Sequence, residues 1–164
     1  MAEDDLGAEV PPVVVPAPVR LNLGAGSVLE PGYVNTDVIA LPGIDVVHDL
    51  DRFPWPWLAG EAERIRAFDV FEHVWYPLEF MRECHRVLEP GGVLDIHAVH
   101  WQSPNYHKDP DHKRGLDLES WDYWVPGTYL NKRYGAAYAR GCHFAKVRSG
   151  LEGGDIAIVL KKLP

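Results

Sequence analysis

The chain has 164 residues, 46% of them hydrophobic and 24% charged, with 16 Lys and Arg against 24 Asp and Glu. That length predicts one domain with its own core, and the composition excludes wholesale disorder. The net charge of −8 argues against nucleic acid as a partner, because phosphate recognition rests on positive charge. Two cysteines, Cys84 and Cys142, make no disulfide framework and read as reduced thiols of a cytoplasmic protein.

Residues 1–18 hold four acids, four prolines and no basic residue, so a flexible acidic, Pro/Val-rich arm is expected ahead of a domain at 19–164. Its acidic start does not match a secretory signal, and no apolar run reaches the ~18 residues of a membrane span. From Val19 short apolar runs alternate with turn pairs. Strands are predicted at Val19–Leu23, Tyr33–Val38, Ile44–His48 and Arg64–Val70, bounded by Gly24, Pro31-Gly32 and Pro42-Gly43. A helix follows, with Leu78, Met81, Cys84 or His85, and Leu88 on one face and Glu79, Arg82, Glu83 and Arg86 on the other. Pro77 suits its first turn, and Pro90-Gly91-Gly92 ends it before a fifth strand at Val93–Val99.

Residues 100–135 are an aromatic, His-rich insertion with a short helix expected at Leu118–Trp124. Strands near His143–Arg148 and Asp155–Lys161, joined across Gly153-Gly154, read as an antiparallel hairpin. The predicted fold is α/β: a Rossmann-like, mostly parallel sheet flanked by helices and ending in that hairpin. Only Ala25 to Gly32 separate the first loop from the second strand, so the first crossover helix is expected to be reduced.

Leu21-Asn22-Leu23-Gly24-Ala25-Gly26 ends the first strand in a glycine loop that lets backbone N–H groups approach a ligand. A dinucleotide site would require a glycine at position 29, which is Leu29, and a helix N-terminus for the pyrophosphate. A cofactor without phosphates fits better than NAD. Asp37, at the carboxyl end of the second strand, is suited to a ribose diol. His48-Asp49-Leu50-Asp51 leaves the third strand with an acid for an adenine amino group and Leu50 to cover the ring.

These residues resemble a class I S-adenosylmethionine-dependent methyltransferase of a compact branch. The resemblance is carried by the L-N-L-G-x-G loop, Pro31 to Asp37, Asp49-Leu50, Phe71-Glu72-His73, Arg86 to Gly92 and Asp109-Pro110-Asp111-His112-Lys113. It covers roughly residues 19–162 and implies S-adenosylmethionine as cofactor, held by Asn22, Gly24, Gly26, Asp37, Asp49 and Leu50. Two positions depart from the pattern: Asn22 stands where many members carry an acid, and Val28 where many carry a third glycine. Asp69, Glu72 and His73 are implied to open on the transfer site.

A hydroxyl acceptor needs a general base, and His73 and His112 are the candidates, with Asp69 to orient a base or bind acceptor. Trp75, Trp101 and Lys113 are candidate acceptor contacts. Trp75, Trp101, Trp121 and Trp124 are expected around the cleft mouth, where aromatic faces suit a flat or sugar-like molecule. His97, His100, His107, Asp109, Asp111 and His112 match no metal-binding signature, so no metal is expected. The expected function is methyl transfer to oxygen or nitrogen of a small-molecule or saccharide acceptor. A non-catalytic binding or scaffold protein keeping the fold is the alternative, and the oligomeric state is open.

Overall fold

The computed structural model describes residues 18–164, so the predicted arm lies, but for Pro18, outside the described residues. Seven strands form one sheet: β1 (Val19–Leu23), β2 (Val34–Asp37), β3 (Val46–Val47), β4 (Ala62–Phe68), β5 (Leu88–Ala98), β6 (Phe144–Glu152) and β7 (Asp155–Lys162). Their order is β3-β2-β1-β4-β5-β7-β6. The first five pair in parallel, and β7 runs antiparallel to both β5 and β6. The Rossmann-like, mostly parallel sheet with a terminal hairpin is therefore present. Turns alone, without a helix, link β1 to β2. Among the described residues no helix is long and apolar enough to cross a membrane.

Helix α1 (Pro77–Val87) begins at the proline and carries Glu79 in its first turn and Arg86 in its last, as the helix dipole favours. It buries Phe80, Met81, Cys84 and Val87. Glu83, expected on the wet face, is buried too. Its Oε2 accepts from Trp55 N at 2.7 Å, while Arg86 donates to the carbonyls of Trp55 and Trp57. Trp55 and Trp57 are thereby clamped beside Phe80.

Several boundaries differ from expectation. β3 shrinks to two residues because Asp45 is diverted: Asn35 N donates to its carboxylate and Asp45 N to the Asn35 carbonyl, both at 2.8 Å. β5 starts at Leu88, directly after α1. Leu88 pairs with Ala62 and Val93 with Arg64, so Pro90-Gly91-Gly92 form a bulge inside the strand rather than a break before it. The expected helix at Leu118–Trp124 is a single 3-10 turn, Asp122–Trp124. A helix not foreseen, α2 (Tyr129–Tyr138), follows it, capped by Thr128 Oγ1, which accepts from Asn131 N at 3.2 Å. Alternation along the strands gives the sheet one apolar face, through Leu21, Leu23, Ile65, Ala67, Leu94, Ile96, Ile158 and Leu160, all fully buried.

Candidate functional site

The carboxyl ends of β1 to β4 open on a cleft of about 880 Å³. Leu23 gives way to Gly24, whose φ is +61°; a Cβ there would lie 2.4 Å from Val70 Cγ2. Both the left-handed backbone and the close approach therefore require glycine. Gly26 N donates to Asp37 Oδ2 at 2.8 Å and Ile39 N to Asp37 Oδ1 at 2.9 Å, tying the loop to the tip of β2. Asn22 is buried, and its amide donates to Asn35 Oδ1 at 2.9 Å and to the Val28 carbonyl at 3.0 Å.

Gly24, Asp37, Asp49, Leu50, Asp69, His73, Trp75 and Lys113 all line the cleft. Eight of the twelve residues singled out from the sequence thus share one cavity. Asn22 and Gly26 do not line it, and both tie down the loop through hydrogen bonds. His112 lies beside His73, with ring centroids 4.8 Å apart. Trp101 is elsewhere: its indole N–H donates to Asp117 at 3.2 Å. Trp121 and Trp124 are core residues and do not reach the mouth, because each is buried under the sheet and Trp121 packs on Phe71.

On the acceptor side, Asp69 directly follows β4 with a φ of +55°, and its Oδ1 lies 2.8 Å from His97 Nδ1. A non-glycine residue in this region stores strain of the kind found at functional sites. Asp51 accepts from Trp75 N at 2.9 Å and from Tyr76 N at 3.2 Å, fixing the entry to α1. Lys113 pairs with Asp111 and sits 4.4 Å from the centre of the Trp75 ring. Lys113 and His73 hold the Asp111 carboxyl below the usual range.

Glu72, implied by the resemblance to open on the transfer site, is instead fully buried and does not line the cleft. Its Oε1 accepts from Val99 N at 2.9 Å, and its Oε2 has no partner among the described residues. Burial pushes its carboxyl up against the opposing pull of that bond. One ligand atom each of Glu72, His73 and His112 lie within 4.8 Å of one another. The histidine set marked in the sequence is dispersed instead: His97 joins Asp69, and His100 faces Asp117.

Residues 40–96 match a family model described as a methyltransferase domain. A probable S-adenosylmethionine-dependent methyltransferase of Mycolicibacterium smegmatis is 39% identical over 54 residues, which are 32% of this chain and 20% of that protein. The match therefore spans about a fifth of the relative's length. A methyltransferase from Thermotoga maritima, described as a possible histamine N-methyltransferase, superposes with a TM-score of 0.61 at 14% identity, over 92% of this chain and 84% of its own. A Burkholderia thailandensis 1,6-didemethyltoxoflavin-N1-methyltransferase, with 1,6-didemethyltoxoflavin and S-adenosylhomocysteine bound, gives 0.54 at 16% identity, over 89% and 71%. The fold is that of Rossmann-like methyltransferases, and the matches support S-adenosylmethionine as the cofactor.

Proposed function

We propose that this protein transfers a methyl group from S-adenosylmethionine to an oxygen or nitrogen of a small-molecule or saccharide acceptor. The observation that carries the reading is the cleft itself, which a bare glycine backbone, the Asp37 carboxylate and His73 line together. The cofactor fits the donor set. Each Asp37 oxygen accepts one backbone N–H, which leaves a lone-pair site on each for the two ribose hydroxyls. Asp49 and Leu50 take the adenine, and Gly24 exposes backbone at the methionine end.

Bound S-adenosylmethionine supplies a methyl group already activated on a sulfonium. The chain's own task is then alignment, which can supply ~7–11 kcal/mol of the barrier, and removal of the acceptor's proton. Asp111 bonds His73 through Nδ1 at 3.1 Å, so Nε2 is the free basic position. The acceptor's proton would go to that nitrogen, or to the equivalent one of His112, as the acceptor–carbon bond forms and the carbon–sulfur bond breaks to leave S-adenosylhomocysteine. Trp75 and Lys113 hold the acceptor, and Asp69 bounds the transfer end. Asn22 contributes by fixing the loop, not by gripping the methionine amino group.

Calorimetry with S-adenosylmethionine tests the reading. Asp37→Ala is expected to weaken binding tenfold or more, since each ~1.4 kcal/mol is a decade. Unchanged affinity removes Asp37 from the site. Cofactor binding without turnover on hydroxyl and amine acceptors would turn the assignment to a non-catalytic binding protein.

A further inference from the structure

We propose that Glu72, His73 and His112 form a divalent-cation site beside the cleft, reached through His73. Three independent features of the geometry converge there. The first is assembly: residues 72 and 73 leave the end of β4, and residue 112 comes from the insertion after β5. The fold brings one ligand atom of each within 4.8 Å of the others. An ion with ligands at ~2.0–2.2 Å spans donors up to roughly 4.4 Å apart, so small side-chain rotations complete the site.

The second feature is orientation. His112 Nδ1 lies 2.9 Å from the Tyr106 carbonyl, and His73 Nδ1 lies 3.1 Å from the Asp111 carboxylate. A carbonyl only accepts hydrogen bonds, and an ionised carboxylate does the same, so both imidazoles donate from Nδ1 and keep a lone pair on Nε2. Metal-binding histidines are oriented in this way by a carbonyl or carboxylate behind them. The third feature is the orphaned oxygen. Glu72 is 0% exposed, Val99 N satisfies Oε1, and Oε2 is left bare. A buried carboxyl oxygen without a partner is costly unless the group is protonated, paired or bound to a metal, and the two imidazoles beside this one favour the last. The cations close by in sequence are engaged elsewhere: Lys113 by Asp111 and the Trp75 ring, and Arg114 by the Phe71 carbonyl.

Two imidazoles and one carboxylate suit a borderline transition-series ion such as zinc or manganese better than calcium. Three protein ligands leave coordination positions open. His73 also lines the cleft, so acceptor oxygen atoms can fill them. A bound cation lowers the pKa of a coordinated hydroxyl. The imidazoles then act as ligands rather than as free bases, and the acceptor's proton leaves to solvent. This role, favouring acceptors with a hydroxyl or neighbouring oxygens, rests on the methyl-transfer reading; cation binding itself does not.

The test uses the full chain, stripped with a chelator and titrated with Zn²⁺ and Mn²⁺ by calorimetry, with Mn²⁺ also followed by electron paramagnetic resonance. One equivalent is expected to bind. His73→Ala and His112→Ala are each expected to weaken it at least a hundredfold, and Asp111→Asn by about 10–100-fold. Glu72→Gln keeps the acceptor oxygen for Val99 N, so it preserves the fold and is expected to cost at least tenfold. S-adenosylhomocysteine is titrated into each variant in parallel. Cation binding without nucleoside binding leaves the site standing and fells the methyl-transfer reading. Absence of stoichiometric binding, or binding indifferent to His73→Ala and His112→Ala, overturns the site.

Discussion

Gly24→Ala tests the glycine loop most directly, because two penalties of different origin meet at one atom. The added Cβ would sit on a backbone of φ +61° and 2.4 Å from Val70 Cγ2. The left-handed conformation costs an alanine about 1–2 kcal/mol. Forcing a methyl against a packed side chain costs about 1–3 kcal/mol more. A total loss of about 2–5 kcal/mol is expected in urea unfolding, together with weaker S-adenosylhomocysteine binding as the loop shifts off Asp37. Val70→Ala removes the obstructing methyl groups at a cost of its own, roughly 1.5–2.5 kcal/mol. In the double variant the steric part disappears and the backbone part stays. The double-mutant cycle should therefore show a favourable coupling of about 1–3 kcal/mol. Additivity within about 0.5 kcal/mol would mean that Cβ and Val70 do not meet, and would refute the packing argument.

Asp51→Ala frees the N–H groups of Trp75 and Tyr76, and a loss of about 0.5–1.5 kcal/mol in stability is expected, with acceptor KM raised more than cofactor affinity is lowered. A loss of cofactor affinity alone would make Asp51 a cofactor contact rather than an acceptor-side support. Burial lowers the pKa of His85 to about 4, so the folded state stays unprotonated there while the unfolded chain takes up a proton below about pH 6.5. Stability contributed by neutral His85 is thus complete above that pH and lost as pH falls toward 4. The effect is at most about 3 kcal/mol, nearer 2 once partial exposure is discounted. His85→Leu should flatten the stability profile in that window, and an unchanged slope would refute the assignment.

Local chemistry written in contiguous residues was legible. Gly153-Gly154 between two apolar runs located the hairpin, Pro77 and the three-to-four spacing located α1, and the position of Asp37 after an apolar run put it at the cleft. Long-range consequences were not. The pairing of Glu72 and His73 with His112 depends on how the insertion folds back, which no local periodicity encodes. Trp121 and Trp124 read like mouth aromatics because a loop-like segment carries them, yet that segment closes the core. α2 was missed since its residues lack an apolar stripe: Gly135 is its only buried residue, and Thr128 supplies the start signal. The β5 bulge was read as a terminator because proline and glycine end a helix and bend a strand equally well.

The sheet itself poses a sharper question, since parallel strands usually read as continuous apolar runs with both faces covered. Here β4 and β5 alternate. Ile65, Ala67, Leu94 and Ile96 are fully buried, while the residues between them form a charged surface. Arg66 lies 2.7 Å from Glu30 and 4.1 Å from the centre of the Phe68 ring, and Arg64 lies 3.4 Å from Asp95. Partial burial raises the Asp95 carboxyl pKa despite its arginine neighbours, so the ionised form gains little from that pairing. Neighbours in the chain should then differ sharply. Ile96→Ala is expected to cost about 2–5 kcal/mol through the cavity it leaves. Asp95→Ala should stay within about 1 kcal/mol, because an ion pair about one-third exposed and 3.4 Å long contributes little. Similar losses at both positions in urea unfolding would mean that the charged face is packed rather than wet, and the alternation would need another explanation.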